Sequence, residues 1–375
     1  MARIKVLFLI HDLGQGGAEK VLVNLVNHMD RSKYDITVMS LFGGGINKQF
    51  LDRSINYRSI FSKSFPGNSK IMKVLSPKQL HSLCITDQYD IEVSYLEGPC
   101  ARIISGCNNP NTKTVSWIHC TVHDKEDLSK SFRNYSEAKR CYTSFDMTAF
   151  VSQENRMRFQ NYIPLNNTCV MYNTNETEKI ITLSDEKVED GLFNAQYISI
   201  VGVGKLEKIK GFDRLISIHK RLIDGGYPVK TYILGIGSEE SNLKRQAEEA
   251  SVTDSVVFLG YKTNPYKYIK KCDLYVCSSH SEGFSTAATE ALIVGTPVCT
   301  VDVSGMKEML GNNEYGVITE NEKEKLYMGI KGLLDNPDQL ALYKQKAKER
   351  GAFFSTERTT KAVEEMLIEL VNNNE

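Results

Sequence analysis

Apolar positions along this chain gather into short unbroken runs, and most of these runs are followed by a stretch of helical periodicity. Ile4–Ile10 is apolar on both faces but for Lys5, as a strand buried inside a parallel sheet requires. Behind it Val21, Leu22, Leu25 and Val26 recur at the spacing of one helix face. Runs at 36–41, 113–118 and 147–152 read as further inner strands, the last leading into a helix over 153–162. A second series follows: 197–201, then 230–234, 255–259, 273–277 and 298–301, most with a glycine at or near the strand's end. Residues 287, 288, 291 and 292 are apolar at helical spacing, and 356–371 is amphipathic. Alternating strand and helix patterns predict an α/β protein of two doubly wound, Rossmann-like domains.

At 375 residues the chain is long for a single core and suits two domains of ~150–200 residues each. The predicted division is a first domain over 1–175, a polar linker over 176–194, a second domain over 195–352 and a terminal segment over 353–375. Nine cysteines lie scattered with no C-x-x-C pair, which favours packed thiols in a reduced, cytoplasmic protein over disulfides or a zinc site. No run reaches the ~20 apolar residues of a membrane span.

Net charge is zero, yet residues 1–175 hold 21 basic against 15 acidic side chains and the remainder 25 against 31. Within 53–86 the basic residues are Arg53, Arg58, Lys63, Lys70, Lys73 and Lys78, interleaved with Phe61, Phe65, Met72 and Val74, and no acid occurs. This is either a solvated basic face or a surface for anionic lipid headgroups. Nucleic acid is the weaker partner, since no recognition motif accompanies the patch.

Chemistry concentrates in residues 278–292, read Ser-Ser-His-Ser-Glu-Gly-Phe-Ser-Thr-Ala-Ala-Thr-Glu-Ala-Leu. A small-residue loop between strand and helix offers free backbone N–H groups at a positive helix end, which suits phosphate. Glu282 and Glu290 can accept hydrogen bonds from hydroxyls. Singly, the first could cap the helix dipole and the second could be an exposed helix carboxylate. Lys205, Lys208 and Lys210, before Gly211-Phe212, form another phosphate-compatible turn. The glycines at 14, 16 and 17 end the first strand, but no acid closes the second strand to hold a ribose, so a nicotinamide site is disfavoured. His119 and His123 lack further metal ligands nearby.

The spacing Glu282-x7-Glu290, with Gly283-Phe284-Ser285 after the first acid and Gly295-Thr296-Pro297 behind, resembles the donor-site signature of family 4 glycosyltransferases of the GT-B fold. The resemblance extends to Gly16-Gly17-Ala18-Glu19, Trp117-Ile118-His119, and 170–176, where Thr174 replaces the family's glycine. It implies two domains facing across a cleft, a last helix crossing back to the first domain, and retention of anomeric configuration. Implied donor contacts are Gly16, Gly17, Lys205, Lys210, Tyr261, Lys262, Glu282, Gly283, Phe284, Ser285 and Glu290. Among these Lys205 and Lys210 would neutralise the leaving diphosphate, Glu290 would hold the ribose, and Glu282 the sugar hydroxyls. His119 would contact the donor sugar and shape the acceptor side. The implied donor is a nucleotide-diphosphate sugar, with a UDP-sugar favoured, and the acceptor a lipid-linked or surface glycan at the inner membrane face. No Asp-x-Asp occurs and no cofactor or metal is expected. The alternatives are an epimerase or phosphorylase on a related scaffold, and a non-catalytic sugar-nucleotide-binding subunit.

Overall fold

The computed structural model describes residues 3–65, 68–188 and 191–372. The chain divides into two compact units, Met1–Thr174 with Thr356–Glu375, and Asn175–Ser355.

The first unit is built on a seven-stranded sheet. Its strands are β1 (Ile4–Ile10), β2 (Tyr34–Phe42), β3 (Asn56–Phe61), β4 (Ile91–Ser94), β5 (Lys113–Ile118), β6 (Met147–Phe150) and β7 (Thr168–Val170). They lie in the order β3-β2-β1-β4-β5-β6-β7, every neighbouring pair parallel. The order reverses between β1 and β4, which is the point where loops diverge and a crevice opens at the strands' C-terminal ends. Continuous apolar sequence is what lets β1 sit with Val6 to Ile10 fully buried. Leu7, Leu9, Met39, Leu41 and Ile118 pack with the helix residues Leu80, Ile103, Cys141 and Phe159 in one core.

The second unit repeats the plan with β8 (Ile198–Val203), β9 (Val229–Leu234), β10 (Val256–Gly260), β11 (Leu274–Cys277), β12 (Val298–Val301) and β13 (Val317–Thr319). Its order is β10-β9-β8-β11-β12-β13, again all parallel, with the reversal between β8 and β11.

The stretch 176–194, expected as a linker, carries the Thr177–Ser184 helix, which packs on the Tyr266–Lys271 and Thr286–Ile293 helices. Average polarity hid a narrow stripe: Ile180 and Ser184, four residues apart, are both buried. Asn264 Nδ2 donates to the Leu183 carbonyl at 2.8 Å and ties the helix end down. Residues 189–190 of that stretch, like 66–67 of the basic segment, lie outside the described residues.

The Thr356–Asn372 helix belongs to the first unit. Val363, Met366, Leu367 and Leu370 form its buried stripe. Glu364 accepts from the Asp30 amide at 2.6 Å, and its carbonyl accepts from the Tyr34 hydroxyl at 2.9 Å. Among the described residues no helix is long and apolar enough to cross a membrane.

Candidate functional site

In the second unit the two loops at the sheet's reversal are stitched together. The loop after β8 runs through the Lys208–Lys210 turn to Gly211, which has φ 61° and caps the Phe212–Asp224 helix. A Cβ on Gly211 would lie 2.1 Å from the Ser278 carbonyl, so only glycine allows this approach in this backbone conformation. Opposite, the loop after β11 returns two bonds. The Ser278 hydroxyl donates to the Lys210 carbonyl at 3.1 Å, and the His280 amide to the Ile209 carbonyl at 2.7 Å. Arg214, buried on the Phe212–Asp224 helix, donates to the Ser278 and Ser279 carbonyls at 2.5 and 2.6 Å and to Asn321 Oδ1 at 2.9 Å. Its planar fork reaches these three separate acceptors from three nitrogens, where a lysine has one.

This stitching brings Lys210 to Glu282. Nζ donates to Oε1 at 2.7 Å and to Oε2 at 2.8 Å, and the Ser279 hydroxyl adds a bond to Oε1 at 2.5 Å. Glu282 is nearly buried while Lys210 keeps more of its surface in water. Immediately beyond, the Ser285 hydroxyl caps the Thr286–Ile293 helix by accepting from the Ala288 amide. Phe284 is buried against Phe354, with ring centroids 5.7 Å apart. Glu290 is 3 % exposed, facing inward rather than toward solvent, so the reading of it as an exposed helix carboxylate fails. Burial holds the Tyr275 hydroxyl well above the ordinary phenol range, and the charges of Cys277, Glu282 and Glu290 add to that. The phenol therefore stays protonated beside both acids. A carboxylate–ammonium pair, a capped helix start and a second buried acid at one strand end can hold a polyhydroxylated, phosphorylated ligand.

The other expected residues of this unit lie on the same loops or on a neighbouring one. Lys205 is paired with Glu207 at 2.6 Å and half exposed. Tyr261 and Lys262 follow β10, two strands away at the same end of the sheet; Tyr261 is exposed, and the Lys262 ammonium sits 5.3 Å from the Tyr268 ring centroid. Gly283 lies in the loop just before the capped helix.

In the first unit, Gly16 and Gly17 open the Gly17–His28 helix directly after β1. His119 follows β5 and is 9 % exposed, tilted against Tyr95 with centroids 4.8 Å apart and stacked on Trp117 at 6.2 Å. Burial lowers its pKa to about 4, only partly opposed by the Glu97 carboxylate, so the imidazole is neutral near pH 7. Its Nε2 is buried without a hydrogen-bond partner among the described residues. Such an atom is costly unless a ligand meets it. Glu97 fixes the backbone here, accepting from the His119 amide at 3.0 Å and the Cys120 amide at 3.1 Å.

Sequence reading missed Glu97, Arg214 and Asn321. Arg214 carried a faint signal, since a charged residue interrupts the apolar face of Phe212, Leu215 and Ile216. Glu97 and Asn321 carried none.

Residues 184–350 match the family model for glycosyl transferases group 1. That match spans a little under half of the chain, and the two parallel-sheet units are those of the GT-B fold. It is 27% identical over 361 residues to the N-acetylgalactosamine-N,N'-diacetylbacillosaminyl-diphospho-undecaprenol 4-alpha-N-acetylgalactosaminyltransferase of Campylobacter jejuni, covering 93% of this chain and 95% of that one. The poly(ribitol-phosphate) alpha-N-acetylglucosaminyltransferase of Staphylococcus aureus is 26% identical over 220 residues, 56% of this chain and 45% of that one. The crystal structure of Anabaena HepE in complex with UDP-glucose superposes with a TM-score of 0.79 over 98% of this chain and 100% of that chain, at 19% identity.

Proposed function

We propose that this chain is a family 4-like glycosyltransferase that moves a hexose or N-acetylhexosamine from a UDP-sugar to a hydroxyl of a lipid-linked or surface-polysaccharide glycan, with retention and without a metal at the donor. The observation that carries this reading is the Lys210–Glu282 contact beside a capped helix at the β8/β11 reversal. In it Lys210, with Lys205, neutralises charge growing on the departing diphosphate, and the N–H groups near Phe284 and Ser285 assist. That is electrostatic stabilisation of a leaving group and calls for no protein nucleophile. Glu282 takes sugar hydroxyls, Glu290 the ribose, and Tyr261 with Lys262 the base. Gly16 and Gly17 bring backbone close to the donor. His119 offers a neutral imidazole to the sugar. The leaving phosphate helps deprotonate the acceptor.

Support for the donor comes from the UDP-glucose complex of the Anabaena protein. Support for acceptor and stereochemistry comes from the Campylobacter and Staphylococcus relatives, whose names specify α products on a diphospho-undecaprenol glycan and on poly(ribitol-phosphate). From a donor whose leaving group is α, an α product is retention. A panel of nucleotide sugars, read by thermal stabilisation and by slow donor hydrolysis with and without EDTA, tests this. A UDP-sugar should stabilise the protein and be hydrolysed equally in chelator; stabilisation by NADH alone, or activity abolished by EDTA, would overturn it.

The first unit is further proposed to rest on anionic lipid. Val74 and Leu83, beside Lys73 and Lys78, are strongly exposed on the Asn68–Val74 and Pro77–Cys84 helices. Arg58 is partly spent on Asp87, at 2.5 Å. Flotation with vesicles should show preference for anionic over neutral lipid; equal binding removes this part of the proposal.

A further inference from the structure

The fold gathers three metal-binding side chains that the donor chemistry does not use. His81 lies on the Pro77–Cys84 helix, Glu92 on β4, and Cys107 in the turn before β5. They are 11 and 15 residues apart in sequence, so no motif spacing announces them. Gly106 makes the approach feasible. A Cβ there would lie 2.1 Å from the Pro77 carbonyl, so the turn presses directly on the start of the helix that carries His81. One ligand atom from each residue lies within 4.8 Å of the other two. His81 Nε2 and Glu92 Oε2 are 2.7 Å apart, with side chains 11 % and 3 % exposed.

We propose that His81, Glu92 and Cys107 form a zinc-binding site. The donor set argues for this metal: imidazole, carboxylate and thiolate together suit a borderline-soft divalent ion, and neither magnesium nor calcium takes sulfur. Tetrahedral bonds of ~2.0–2.3 Å place ligand atoms ~3.3–3.7 Å apart. The His81–Glu92 pair, now 2.7 Å apart, opens to that spacing when an ion enters between them. The ion replaces the proton between His81 and Glu92 and the thiol proton of Cys107, both released to solvent. A water completes the fourth position. Cys107 is only partly buried, which leaves an entry path. Glu92 lies early in β4, whereas Tyr95 and Glu97 beyond its other end belong to the surroundings of His119, so this ion would staple helix, strand and turn and not meet substrate.

Cobalt(II) titration of the full-length, chelator-stripped protein tests the site. One equivalent should raise a thiolate-to-cobalt charge-transfer band that zinc abolishes. The band should vanish in Cys107→Ser and persist in Cys84→Ser and Cys120→Ser. His81→Gln should weaken binding ~10-fold or more. No band in the wild type, or the same band in Cys107→Ser, overturns the proposal. Alkylation of the wild type guards against a variant that does not fold. Zinc should slow modification of the Cys107 peptide and leave that of Cys120 unchanged, and equal rates at Cys107 with and without zinc also overturn it.

Discussion

Lys210 Nζ meets both carboxylate oxygens of Glu282, at 2.7 and 2.8 Å, across 72 residues of sequence. In the proposed mechanism the two groups part, Lys210 to the diphosphate and Glu282 to the sugar. The pair is not a stability device first. Lys210 keeps about a third of its side chain in water, so screening reduces what the contact adds to folding. Lys210→Ala and Glu282→Ala should each lower turnover ~10²-fold or more. Melting temperatures should move far less than activity does. Steady-state kinetics beside thermal melts check this, and near-wild-type turnover in both variants would remove the pair from the mechanism.

Arg214 should behave in the opposite way. Its three guanidinium nitrogens are spent on the Ser278 carbonyl, the Ser279 carbonyl and Asn321, all within the protein. Arg214→Ala leaves those acceptors buried without a charged donor, at a cost of ~2–4 kcal/mol in unfolding free energy. Arg214→Lys should recover only part of it, because a single ammonium nitrogen cannot reproduce three nitrogens aimed at three separate acceptors. Urea melts measure the cost. Equal stability in Arg214→Lys and the wild type would show that the fork geometry is irrelevant.

Gly211 offers a test of the stitching itself. Alanine there must adopt φ 61° and must also displace the Ser278 carbonyl, 2.1 Å from the new carbon. Strain of ~1–3 kcal/mol is expected from the backbone term alone. Relief can come only by parting the two loops, which would move Lys210 from Glu282. Gly211→Ala should therefore lose both stability and donor affinity, whereas Gly226→Ala, also at positive φ but with nothing near its Cβ, should lose stability only. Isothermal titration with UDP separates the two outcomes, and unchanged UDP affinity in Gly211→Ala would contradict the coupling.

These positions show what the sequence could carry. Strand runs, the Gly-rich turns and the Glu282-x7-Glu290 spacing are local patterns, so β8, β11 and the helix after Ser285 were readable before any fold was known. Glu97, by contrast, reaches the amides of residues 119 and 120 from another strand's end, and nothing near it in sequence marks the partner. The Thr177–Ser184 helix was read as linker because its buried stripe is only Ile180 and Ser184 wide. The His81–Glu92–Cys107 group exists only once the sheet is assembled.

His119 gives the pH dependence a definite sign. Its pKa is about 4 in the folded protein against 6.5 for an unburied histidine, and burial is the main cause. Between those values the unfolded chain takes up the proton and the folded one does not. The neutral ring's contribution is therefore whole above about pH 6.5 and is lost as pH falls toward 4, by at most ~3 kcal/mol. His219 shifts in the same direction for the same cause, held between the hydroxyls of Thr231 and Ser255. A His119→Gln variant should remove one of these two slopes, so its stability difference from the wild type must change between pH 7 and pH 4.5 in urea melts. Parallel curves would mean that the ring titrates normally and is wet. Turnover makes the same point from the other side. With His119 already neutral, the wild-type rate should show no inflection near pH 6.5 that His119→Gln abolishes. If such an inflection appeared, the imidazole would titrate at its ordinary value and would not be the buried, neutral ring described here.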